Sequence, residues 1–85
     1  MSYRVALARS AERELTALQA DIKKRVEVAL RRLTEEPRPP GARKLAYGTG
    51  WRVRVGDYRV LYTISDESHL VTVFAIGHRR EVYRP

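Results

Sequence analysis

Apolar and polar positions along this 85-residue chain change period twice. "YRVALA" (3–8) alternates, which predicts a strand. From Ser10 the period lengthens. Leu15, Leu18, Ile22, Val26, Ala29, Leu30 and Leu33 recur at spacings of three and four, so they share one helical face, with "KKR" and "RR" turned to water. Ser10 is the expected N-cap, with Glu12 and Glu14 in the first turn, where acids suit the dipole. One long helix fits this spacing. It would be long for so small a domain, so two helices are favoured, with a break near Gln19–Asp21 and Asp21 near the second start.

"EEPRPPG" (35–41) ends the helical region, because Pro37 disfavours the helical conformation at Glu36. "ARKLAYGTG" reads as loop, or loop with one short pairing. From Trp51 the period becomes two. "WRVRV" (51–55), "YRVLYTIS" (58–65) and "HLVTVFAIG" (69–77) are expected strands. The short "GD" and "DES" connections make them an antiparallel meander. The expected fold class is α+β: a single domain, residues 1–85, in which an N-terminal strand joins a small antiparallel sheet and a helical hairpin packs on one face.

Charge adds to this picture. The net charge is +7 and the pI about 10.4. Fourteen of the 17 cations are arginines, the rest being Lys23, Lys24 and Lys44. Arginine grips phosphate bidentately, which lysine cannot copy. There is no cysteine, which excludes disulfides and thiolate metal sites. No apolar run approaches a membrane span, and the first residues lack a signal peptide's apolar segment. A cytoplasmic protein without membrane contact, metal or cofactor is expected.

The hairpin decides where the arginines stand. Gly56–Asp57 as a type II′ turn makes Val55 face Tyr58, Arg54 face Arg59 and Val53 face Val60. Trp51, Val53, Val55, Tyr58, Val60, Tyr62 and Ile64 then share the face that meets the helices, and Arg52, Arg54 and Arg59 lie on the other. Opposed cations repel by some tenths of a kcal/mol. No carboxylate on these two strands shares their face. Such a face is either solvated, with the side chains splayed, or an anion site where a phosphate reverses the sign of the interaction.

"GHRREVYR" (77–84) follows the last strand with an imidazole, guanidiniums and a phenol close together. "KLAYGTGWRVRVGDYRVLYTI" followed by "FAIGHRREVYR" resembles the RelE-type toxins of the RelE/ParE superfamily, from bacterial and archaeal toxin–antitoxin pairs. The likeness runs over nearly the whole chain. It implies a RelE-like fold and a metal-independent endoribonuclease that cuts mRNA, commonly on the ribosome at the A site. It also implies neutralisation by a cognate antitoxin, which the charge leads us to expect to be acidic. By the same resemblance the functional residues fall on Arg52, Arg54, Arg59, Arg79 and Tyr83, with His78 at a variable position that is often basic or imidazole. Two departures stand out: some members carry lysine at Arg52 and Arg54, and some carry a C-terminal helix for which the sequence ending at Pro85 leaves no room.

Metal-free RNA cleavage uses the 2′-OH as nucleophile. It needs in-line placement, charge stabilisation on the phosphorane and movement of two protons. Arg59 and Arg79 are expected at the reacting phosphate. Arg52 and Arg54 are expected on flanking phosphates, with Lys44 and Arg80 also in the RNA-binding set. Arginine does not give up its proton usefully, so Arg52 and Arg54 are not proton acceptors. Tyr83, whose phenol nearby guanidiniums would acidify, and the imidazole of His78 both fit proton transfer. Two other functions fit parts of the same sequence. One is ParE-like inhibition of DNA gyrase. The other is nucleic-acid binding without cleavage, for which cations alone suffice.

Overall fold

The computed structural model describes residues 2–46 and 48–78. In chain order the elements are β1 (Arg4–Leu7), α1 (Arg9–Ala17), α2 (Ala20–Glu35), β2 (Arg43–Lys44), β3 (Trp51–Val55), β4 (Tyr58–Ser65) and β5 (Leu70–His78). They build one five-stranded sheet in the order β1-β5-β4-β3-β2. The meander β3–β4–β5 is antiparallel as expected, and the short pairing before Trp51 is β2. The N-terminal strand joins at the far edge and runs parallel to β5, so the sheet is mixed. The reason is topological: β1 and its neighbour are separated by the helical hairpin and the whole meander, which allows the parallel return.

The helical region is a hairpin. Leu18 and Gln19 both take extended conformations, with ψ of 152° at each, and separate α1 from α2. Glu36 is extended before Pro37 and closes α2. Ser10 is not the N-cap. That position is Ala8, whose N–H still bonds the Val73 carbonyl as the chain leaves the sheet. The helix therefore starts directly off the strand, and Ser10 falls in its first turn. Its hydroxyl instead donates to the Phe74 carbonyl at 3.3 Å. Glu14 acts likewise, its carboxylate accepting the Ile76 N–H at 2.9 Å. Among the described residues, β5 has no strand neighbour on that side past Leu7. Two polar side chains of α1 supply part of what a longer β1 would have given the β5 backbone.

Both apolar patterns meet in one core. Val26, Leu30 and Leu33 from α2 pack with Val55, Val60, Tyr62, Val71, Val73 and Ile76 from the sheet. Leu15, Leu18, Ile22, Trp51, Val53 and Ile64 are half-buried around them. The Tyr62 hydroxyl donates to the Pro37 carbonyl at 2.8 Å, which pins the proline connector to the middle of β4. Pairing shifts between Leu61 and Tyr62: Leu61 faces Ala75 and Tyr62 faces Val73, so Phe74 is an extra, bulged residue in β5. No described helix is long and apolar enough to cross a membrane.

The connector is tied down a second time at the surface. Arg38 grips Asp66 with two hydrogen bonds of 3.2 and 2.9 Å, and Tyr3 donates to the same carboxylate at 2.6 Å. Arg38 also lies 5.4 Å from the Trp51 ring centroid. The Arg38 guanidinium first, and the Tyr3 hydroxyl second, hold Asp66 down to about 2. The sign follows from linkage. The unfolded chain takes up this proton near pH 4, the folded protein only near 2, so this stabilisation is present above about pH 4 and fades as pH falls toward 2. The pair is exposed, so the effect is small. Asp66→Asn is expected to flatten this part of the acid limb in urea titrations taken at stepped pH.

Candidate functional site

Gly56 takes φ of 62° while Asp57 keeps a negative φ, as a type II′ turn requires. Glycine adopts that positive φ without the steric cost a Cβ would bring. The turn holds Arg54 opposite Arg59, with Val55 opposite Tyr58 and Val53 opposite Val60. On the other side of β4, Arg59 is paired with Gly77, which has no side chain. Arg59 is half-buried with its Nε shut off from solvent, and Arg54 is exposed.

A fourth guanidinium joins them. Arg43 in β2 is paired with Arg52 in β3, and directly paired residues project to the same face. The face away from the helices therefore carries Arg43, Arg52, Arg54 and Arg59. Arg43 escaped the sequence reading because a two-residue strand has no period. A pairing of "RK" with "WR" would have been the signal. Among the described residues, no carboxylate makes an ion pair with Arg43, Arg52 or Arg54. Guanidiniums gathered this closely on one face raise the local positive potential, and an arriving polyanion lowers it.

Two expected members stand elsewhere. Lys44 is paired with Trp51 and so projects to the helix side of the sheet edge. His78 is paired with Tyr58, and their rings meet edge-on with centroids 5.7 Å apart. With Glu14, Leu18 and Ile76 they line a cavity of about 430 Å³ between α1 and the end of the sheet. Strand alternation causes both outcomes, since neighbours in sequence point to opposite faces. Arg79, Arg80 and Tyr83 lie outside the described residues. The described residues contain no cluster of three or more metal-ligating side chains.

Residues 5–83 match the family described as ParE toxin of type II toxin-antitoxin system, parDE. The chain belongs to this toxin family. It is 39% identical over 88 residues to Toxin RelG of Mycobacterium tuberculosis (strain ATCC 25618 / H37Rv), with 99% of each chain covered. The archaeal RelE-RelB complex from Pyrococcus horikoshii OT3 holds a chain that superposes with a TM-score of 0.84 at 25% identity, over 96% of this toxin and 100% of that chain. The toxin-antitoxin complex RelBE2 from Mycobacterium tuberculosis gives 0.81 at 32%, over 93% and 100%. The protein is thus a type II toxin of the RelE/ParE superfamily, with the superfamily's two helices on a five-stranded sheet.

Proposed function

We propose that this toxin is a metal-independent endoribonuclease that cuts mRNA on the ribosome at the A site and so stops translation. The observation that carries the reading is the opposed Arg54–Arg59 pair, flanked by Arg52 and Arg43 on one open sheet face. A face built only for solubility would gain nothing from cations held opposite one another. A ribose–phosphate chain laid across them converts repulsion into charge-assisted hydrogen bonds.

The chemistry follows from what the substrate supplies. The 2′-OH attacks the adjacent phosphorus and the 5′-oxygen leaves, giving a 2′,3′-cyclic phosphate and a 5′-OH. Arg59, whose Nε is shut off from solvent, bears on the reacting phosphate together with Arg79. Arg43, Arg52 and Arg54 hold the flanking phosphates in line, Arg80 belongs to the same RNA-binding set, and Lys44, on the helix side of the sheet edge, contributes only long-range charge. Of the two candidates for proton transfer, His78 stands on the helix side of the sheet, away from Arg59. Tyr83 is therefore our candidate for the group that accepts the nucleophile's proton.

The toxin's partner is a cognate antitoxin. The similar structures are toxin–antitoxin complexes, and a net charge of +7 favours an acidic segment. A second reading has one observation in its favour, because the matched family carries the ParE description. On that reading the target is DNA gyrase.

One paired assay separates the two. Purified toxin is added to programmed ribosomes, and the message is mapped by primer extension with end-group analysis. The same toxin is added to a gyrase supercoiling reaction. Cuts in ribosome-bound message bearing cyclic phosphate and 5′-OH ends, with supercoiling untouched, are expected. Intact message beside blocked supercoiling would replace the ribonuclease reading with the gyrase one.

A further inference from the structure

The open face is not uniformly cationic. Leu61 is paired with Arg52 on one side and Ala75 on the other, so an apolar strip crosses the face at the level of Arg52. The bulge takes Phe74 out of the strict alternation of β5, and its exposure and its approach to Gly50 place its ring with that strip. A Cβ built on Gly50 would stand 3.5 Å from the tip of the Phe74 ring and 2.6 Å from Leu45 Cδ1. Gly50 precedes Trp51 and so faces the arginine side. The Phe74 ring therefore reaches across β4 toward β3, over Leu61, and meets Leu45 from the other direction. Gly50 is the gap that lets the two side chains come together.

Phe74 remains 37% exposed, whereas Leu61 beneath it is 5% exposed. One exposed phenylalanine is ordinary. This one sits at a bulge that turns it onto the arginine face, on an apolar floor, beside a glycine whose bareness makes room for it. A phosphate gains nothing from an aromatic ring. A nucleobase does, because every base has a π-face, and single strands present their bases while duplexes hide them.

We propose that Phe74, backed by Leu61 and Leu45, is a base-stacking shelf within the arginine face, so that the toxin holds single-stranded RNA by a stacked base as well as by phosphates. The proposal rests on the reading of this face as an RNA site. The base lies on the ring while its flanking phosphates reach Arg52 and Arg54 on β3, the strand toward which the ring extends. An apolar protein segment suits this face less well, since it would strip water from guanidiniums and return no charge.

The test uses full-length toxin and short single-stranded RNA, with binding read by fluorescence anisotropy at several salt concentrations. Phe74→Ala is expected to weaken binding roughly 5- to 150-fold with the salt slope unchanged. Arg52→Ala is expected to lower the salt slope. RNA with abasic sites should bind the wild type as weakly as intact RNA binds Phe74→Ala, and should lose nothing further on that variant. Phe74→Trp guards against a folding defect. It should bind at least as well as wild type, and its new indole emission should be quenched by intact RNA but not by abasic RNA. If Phe74→Ala and abasic RNA both bind like wild type while Arg52→Ala weakens binding, the shelf is wrong and the RNA reading of the face stands. If wild type shows no salt-sensitive RNA binding at all, the RNA reading fails and the shelf fails with it.

Discussion

Arg59→Ala is expected to cut cleavage of ribosome-bound mRNA by about two to three orders of magnitude. That is the scale reached when one preorganised donor to a developing oxyanion is removed. Arg54→Ala is expected to cost less, since Arg54 is exposed and bears on a flanking phosphate in our reading. Stability should move the other way. Arg54 faces Arg59 directly, so removing one cation relieves repulsion worth some tenths of a kcal/mol. Arg54→Ala should thus melt at or slightly above the wild-type temperature in dilute buffer. Added inorganic phosphate should raise the wild-type melting temperature more than the variant's, because ligand that binds the native state stabilises it. Cleavage rates at saturating ribosomes and paired melts with and without phosphate check this. If Arg59→Ala cuts at the wild-type rate, the arginine face is not where the chemistry happens.

The second large effect concerns the fold that holds this face. Tyr62→Phe removes a hydroxyl that is buried and bonded to the Pro37 carbonyl. The ring's packing is kept, but the carbonyl loses its partner. The expected cost is about 1–3 kcal/mol, and each kcal/mol corresponds to about 4–8 °C for a domain of this size. The same residue shapes the alkaline limb. Burial pushes the Tyr62 phenol up to about 12. The unfolded chain ionises this tyrosine near pH 10 while the folded protein resists until about 12. The contribution is therefore whole below pH 10 and lost between about 10 and 12. Tyr62→Phe should lack that component, so its stability curve and the wild type's converge as pH rises through this window. Parallel curves in urea titrations across pH 9 to 12 would show that the phenol is not what burial makes it.

Much of this was legible in the linear pattern. Spacings of three and four marked the α2 face of Val26, Leu30 and Leu33, and alternation from Trp51 marked the sheet face that covers it. One dipeptide, Gly56–Asp57, was enough to set Arg54 against Arg59, because a two-residue turn leaves a single register. Local rules sufficed where the interaction itself was local. They failed at Ser10, whose hydroxyl was needed by the β5 backbone rather than by its own helix. They passed over Arg43, which joins the arginine face through a pairing two residues long.

The sequence by itself determined which side chains share a face within each element and how β3 meets β4, since backbone periodicity and turn geometry are properties of neighbouring residues. Tertiary structure alone decided that β1 lies parallel to β5, that α1 lends Ser10 and Glu14 to the edge β1 leaves bare, and that His78 stands against Tyr58 on the far side from Arg59. It also decided that a bulge turns Phe74 out among the arginines. Those outcomes depend on which strands become neighbours and where their pairing slips, and neither is a property of adjacent residues.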